Sequence, residues 1–297
     1  WRSSLMRHLY NETRRALSRG LENPLAREEV IRTTKQAATE TLEYRGFLAD
    51  ELHELWATLG EDYFLRERAD DIAWHTEAIA DHRHEEGALV LAKQASESPI
   101  SNATQIFVHT QDEPNTFARI CAALETLDLS IHDARIYSDA DGGTLDTFFV
   151  LKSDGSSLDT HPDTFLEIET SIRQSLAEAT LKTVSRHTPR TVKAFTIPTT
   201  IAFSEDHTGG LTTLEIVTAD RPGLLARLGS VLSKHDVTIQ GAKIQTLGER
   251  VEDIFFLTDA TGGALQDRSL LHQLEQELNA ELGAESSVEA LQSGVTI

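Results

Sequence analysis

The chain has 297 residues, with 27 Lys and Arg against 48 Asp and Glu, a formal charge of −21. Nucleic acids and anionic membranes are held chiefly by Lys and Arg neutralising phosphates, so this balance argues against both as partners. No apolar run reaches the roughly 20 residues of a bilayer span, no signal-peptide pattern opens the chain, and a single cysteine, Cys121, excludes an intramolecular disulfide. At roughly 100–200 residues per domain, the length predicts two or three domains of a soluble, cytoplasmic protein.

Trp1 opens directly onto helix spacing at Leu5, Met6, Leu9 and Tyr10, an abrupt start that predicts the C-terminal part of a longer parent. Residues 1–95 read as helices throughout. Leu48, Leu52, Leu55 and Leu59 follow the i, i+4, i+7, i+11 pattern, Phe47 and Trp56 widen the stripe, and Gly60 is expected to end that helix as a left-handed C-cap. Ile72, Thr76 and Ile79 mark another helix starting near Asp70. A Ser- and Pro-containing linker at 96–103 follows.

Beyond the linker the pattern changes. Gln105–Thr110, Ser130–Ser138 and Asp146–Leu151 read as strands, Phe117–Leu127 and His161–Ala177 as helices, and Thr191–Phe203 as extended chain. The same order returns about 108 residues later. Asp112-Glu113-Pro114 aligns with Asp220-Arg221-Pro222, Ile131, Ala134 and Ile136 with Ile239, Ala242 and Ile244, and, after one dropped residue, Asp146-Thr147-Phe148-Phe149 with Asp253-Ile254-Phe255-Phe256. In the second copy, strands are predicted at Leu214–Thr218, Val237–Thr246 and Val251–Thr258, helices from Leu224 and over Ser269–Leu282, and a short last strand at Val288–Leu291. Each copy therefore reads as βαββαβ, the ferredoxin-like order, and the fold class as α+β: a helical segment followed by two tandem ferredoxin-like domains at 104–203 and 211–292. The helices would cover one face of each sheet and leave the other free for a partner.

The string Asp220-Arg221-Pro222-Gly223-Leu224-Leu225, its helix, and Val237-Thr238-Ile239-Gln240-Gly241-Ala242-Lys243-Ile244 resemble the ACT domain, a small-molecule-sensing module of amino-acid-regulated enzymes. Asp112-Glu113-Pro114-Asn115-Thr116-Phe117 is similar, with the turn glycine replaced by Asn115. Two such copies, joined by Phe195–Ser204 and preceded by Trp1–Leu5 and Ile72-Ala73-Trp74-His75, resemble the C-terminal region of the bifunctional PII uridylyltransferase/uridylyl-removing family. The resemblance implies that the parent adds UMP to the PII signalling protein and removes it, with glutamine as the signal for removal. It also implies catalytic centres upstream that use magnesium or another divalent metal, and no cofactor in the present chain.

The sensor chemistry can be argued from the residues. Pro222 fixes φ, Gly223 admits close approach, and the N–H groups of the first helical turn, Gly223 to Leu225, suit an α-carboxylate. Asp220 is expected to pair with the α-ammonium, and Gln240 to meet the ligand's side chain. Asp112, Asn115, Thr116 and Phe117 form the equivalent, weaker corner, where Glu113 replaces Arg221 and adds a negative charge.

Other constellations are weaker. His132-Asp133 and His235-Asp236 resemble the dipeptide of HD phosphohydrolases but lack the further ligands that chemistry needs. His82 and His84 point to different helix faces, so a metal shared with His75, Asp81 and Glu85 is awkward. Asp139–Gly143 reads as a hairpin turn rather than a calcium loop, and Cys121 as a small apolar core residue. Two alternatives to glutamine sensing stand: association of the ACT copies independent of any amino acid, and the regulatory end of another ACT-bearing enzyme such as a guanosine-tetraphosphate synthetase/hydrolase.

Overall fold

The computed structural model describes residues 24–83, 85–95, 102–178, 197–206, 210–247 and 250–292. The expected helix around Leu5 to Tyr10, and much of the linker at 96–103, lie outside them. The chain divides into a helical unit, residues 1–85 with 138–141, and a sheet-containing unit, residues 86–137 with 142–297.

The helical unit holds α1 (Pro24–Tyr44), α2 (Ala49–Trp56), α3 (Glu61–Arg66) and α4 (Ala69–His82). Its interior contains Leu42, Leu52, Tyr63, Phe64 and Ile72. Two buried hydrogen bonds cross it: Trp56 Nε1 donates to Thr76 Oγ1 at 2.9 Å, and Tyr63 Oη lies 2.9 Å from His75 Nδ1. Gly60 does not end a helix as a left-handed cap. It is extended, at φ −68°, and precedes α3, so the apolar pattern that seemed to run from Leu48 to Leu59 is one short helix and a turn.

The second unit is built on one sheet. Its elements are β1 (Leu89–Gln94), β2 (Thr104–Gln111), α5 (Thr116–Thr126), β3 (Leu129–Ser138), β4 (Gly143–Lys152) and α6 (Pro162–Ala177), then β5 (Thr200–Asp206), β6 (Leu211–Ala219), α7 (Leu224–Lys234), β7 (Thr238–Lys243), β8 (Thr246–Leu247), β9 (Arg250–Thr258) and α8 (Arg268–Gln292). The strand order is β1-β2-β4-β3-β7-β9-β6-β5, with β8 on β9. All the pairings with a described register are antiparallel. Aliphatic residues of α5, α6, α7 and α8 share one core with inward residues of the strands, including Ile106, Phe148, Leu214 and Phe255.

Two expectations fail here. The expected last strand at Val288–Leu291 lies within α8, and residues 89–94, read as helix, form β1. Each half of the sheet is therefore ββαββα rather than βαββαβ, with the two-residue β8 added between β7 and β9 in the second. The slot beside the first strand of a ferredoxin-like sheet is filled by a strand that enters before it: β1 runs antiparallel to β2, and β5 antiparallel to β6. Residues 200–206, assigned from sequence to the first domain's end, thus edge the second half. A six-residue segment, with four apolar residues followed by Lys93 and Gln94, is too short for periodicity to distinguish strand from helix. The structure completes β1 through α6, where Arg173 Nη2 donates to Val90 O at 2.7 Å and Ala92 N donates to Glu169 Oε1 at 3.1 Å. Side chains thereby occupy the outer rim of an edge strand.

The halves meet where β3 pairs with β7, and the register is informative. Ala134 lies opposite Ala242, Asp133 opposite Lys243 and Arg135 opposite Gly241. Ala134 and Ala242 are 108 positions apart, so a local two-fold axis passes through that pair. Helices follow the same symmetry: a Cβ on Gly229 of α7 would come within 2.8 Å of Phe117 Cδ1 and 3.3 Å of Ala118 Cβ of α5, which explains a small residue at this crossing.

Candidate ligand site at the junction of the two halves

Between β6 and α7 the chain turns through Asp220-Arg221-Pro222-Gly223. Gly223 is left-handed, φ 74° and ψ 10°, and its counterpart Asn115 adopts the same conformation at φ 68° and ψ 15°. Glycine enters that region freely and Asn is among the few other residues that tolerate it, so the substitution changes the chemistry of the corner but not its backbone.

All six residues from Asp220 to Leu225 line a cavity of about 540 Å³, within the range of small-molecule sites. Its other walls come from the first half: Cys121 and Glu125 on α5, Leu129 to His132 on β3, and Lys152 at the end of β4 with Ser153 to Gly155 beyond it; Ile244, Val251 and Asp253 of the second half complete it. Gln240, expected to meet a ligand's side chain, does not line this cavity. It sits at an irregularity of β7 between Ile239 and Gly241, and its Nε2 donates to Thr258 Oγ1 at 3.2 Å. The residue 108 positions earlier, His132, takes that place from across the junction. Its Nε2 is buried and has no hydrogen-bond partner among the described residues, and burial lowers its pKa, keeping the ring neutral at pH 7.

The corner is not open as expected. Gly223 N donates to Glu125 Oε1 at 2.5 Å, and Leu224 N to Arg221 O at 3.2 Å. Arg221 reaches away, donating from Nη1 to Leu282 O at 2.9 Å, and Arg227 Nη2 donates to Pro222 O at 2.9 Å, bracing the turn. The first corner shows the symmetric contact with a different group: Asn115 N donates to Ser233 Oγ at 3.0 Å. There Thr116 Oγ1 is locked onto Glu113 O at 2.8 Å, and Phe117 packs toward Gly229 and Phe148. Asp112 is exposed, and its N–H donates to Gly142 O at 3.0 Å.

Asp253 is a wall residue that local motif reading passed over. It is 2 % exposed, and its carboxyl is pushed up to about 7, first by burial, against the Gln245 N–H that holds it down, with nearby Asp220 adding repulsion. Burial also raises Asp220. The first half repeats the pair: buried Asp146 is pushed up to about 8 by burial and by Asp112, partly offset by its hydrogen bond from Thr144. The available signal was a charged residue at the same inward strand position of both copies. Of the distractors, His235 Nε2 lies 2.6 Å from Glu277 Oε2, His82 pairs with Glu85 at 3.1 Å, and Cys121 is buried with its thiol pushed well up.

Residues 212–280 match the ACT domain family, and residues 26–78 match the uridylyltransferase GlnD fifth domain. The bifunctional uridylyltransferase/uridylyl-removing enzyme of Stutzerimonas stutzeri (strain A1501) is 44 % identical over 299 residues, covering 100 % of this chain and 33 % of that protein. Its counterpart in Pseudomonas putida (strain F1) is 43 % identical over 298 residues, again with 100 % and 33 % coverage. In Ectopseudomonas mendocina (strain ymp) the figures are 44 % over 294 residues, 97 % and 32 %. The chain matches the C-terminal third of this enzyme family from end to end. It spans about a third of the length of these relatives. Within that third, the ACT match contains the Asp220–Leu225 turn, and the fifth-domain match covers α1 to α3 and most of α4.

Proposed function

We propose that this chain is the glutamine-sensing regulatory region of a cytoplasmic enzyme that uridylylates and deuridylylates the PII protein. Its catalytic centres, with their magnesium or other divalent metal, lie in the portion of the relatives that this chain does not span. The observation that carries the reading is the cavity walled by both halves and floored by the Asp220–Leu225 turn. A zwitterion fits its chemistry. The α-ammonium is placed at Asp220 and Asp253, whose crowding a cation relieves, and the α-carboxylate at the N-terminus of α7. The side-chain amide is placed toward His132. Because each half supplies walls, a ligand there ties the halves together, which is how occupancy is communicated to the rest of the enzyme. The corner of Asp112, Asn115, Thr116 and Phe117 is assigned a weaker or purely structural role.

A second reading has its own support. Both corners are already capped by the opposite half, through Glu125 and Ser233, as an amino-acid-independent association of two copies would require. Calorimetry of the full chain with L-glutamine, L-glutamate and L-alanine separates the two. The sensing reading expects heat with glutamine, reduced at least about tenfold in affinity by Asp220→Ala or Asp253→Asn. Absence of both heat and thermal shift with every amino acid would refute it and leave association as the role of the pair.

A further inference from the structure

We propose that Glu125 is a built-in occupant of the carboxylate position, and that an α-amino acid enters the site by displacing it. This rests on the ligand site proposed above. A carboxylate on the N–H of a helix's first residues is the arrangement in which helix termini bind anions, and the charge-assisted bond is among the stronger hydrogen bonds available to a backbone. Glu125 Oε1 makes that bond to Gly223 N at 2.5 Å. The donor belongs to the second half and the acceptor to the first, so the contact closes the cavity across the junction.

Retaining Glu125 while a ligand binds would crowd the wall. Glu125, Asp220 and Asp253 share it, and the ligand's carboxylate would be a fourth acidic group beside them. Arg221, on the same wall, has its Nη1 committed to Leu282 O. His132 is neutral at pH 7, and Lys152 also lies on the cavity wall. Displacement removes one negative charge from the helix terminus as the ligand supplies another, so the charge there is conserved.

The two-fold relation supplies an internal comparison. At the other corner, the residue equivalent to Glu125 is Ser233, which caps the Asn115 N–H through a neutral hydroxyl at 3.0 Å. Geometry alone is thus satisfied by a hydroxyl, and the carboxylate on the functional corner adds a charge that capping does not demand. Its effect is to set a threshold: the ligand must outcompete an internal anion held at high effective concentration.

The test is glutamine calorimetry on the full chain carrying Glu125→Ser, which copies the neutral cap, and Glu125→Gln, which keeps the shape and removes the charge. The expected result is tighter binding, about tenfold for Ser and a smaller gain for Gln. Glutamine affinity that is unchanged, or that falls because Glu125 instead clamps the ligand's ammonium, overturns the proposal. The Gln variant covers the case in which the Ser variant misfolds. If the unaltered chain binds no amino acid, the site reading itself fails and this proposal falls with it; weakened binding in the variants alone sinks only the displacement.

Discussion

Asp146 offers a quantitative test of how these carboxylates behave. The side chain is fully enclosed on β4, accepts a hydrogen bond from Thr144 Oγ1, and has its carboxyl pushed up to about 8. In the unfolded chain it titrates near 3.9. The folded protein therefore holds a proton that the unfolded chain releases between those values. Stability from this group is fully present below about pH 4 and is lost as pH rises through 8. At roughly 1.36 kcal/mol per unit, the loss amounts to about 4 kcal/mol by pH 7. Asp146→Asn keeps an acceptor for Thr144 and removes the titration. The stability difference between variant and parent should grow with pH from 5 to 8, at up to about 1.4 kcal/mol per unit. Hydrogen exchange in β2 and β4, with urea unfolding by far-UV circular dichroism, is the suitable assay. Parallel pH profiles for the two proteins, or divergence toward acid, would refute the reasoning.

Gly223→Val should cost about 2 kcal/mol or more, because a β-branched residue is forced into the left-handed region. Gly223→Asn should cost less than half of that, as Asn115 shows in the same conformation; the nearest atom to a Cβ there is Arg227 Nε at 3.8 Å, so strain and not collision decides the difference in urea midpoints. Gly229→Leu should overpack the crossing of α5 and α7 by about 1–3 kcal/mol. Because Cys121 is buried on α5 and is the only cysteine, faster modification by a thiol reagent would report the helices parting, and an unchanged rate would show that the crossing absorbs the side chain.

Much of the second unit was readable locally. The β6–α7 corner, the amphipathic α7, and the strands beginning at Leu129, Gly143 and Arg250 follow from alternation, helix spacing and turn residues, which act over a few neighbours. The 108-residue offset also carried the two-fold symmetry in latent form. What it left open was which strands fill the edge slots and which residues share a cavity. Leu89–Gln94 is a strand because β2 and the Glu169–Arg173 pair on α6 complete its hydrogen bonds, a condition absent from its own six residues. Likewise, motif reading placed Gln240 beside the corner of its own copy, whereas the β3–β7 pairing brings His132 and Glu125 there from the other half. Backbone conformation at the turn is set by the residues that form it. The partner of that turn's N–H is set by packing between segments about 100 residues apart, and that packing alone determines whether the N–H is free or held by Glu125.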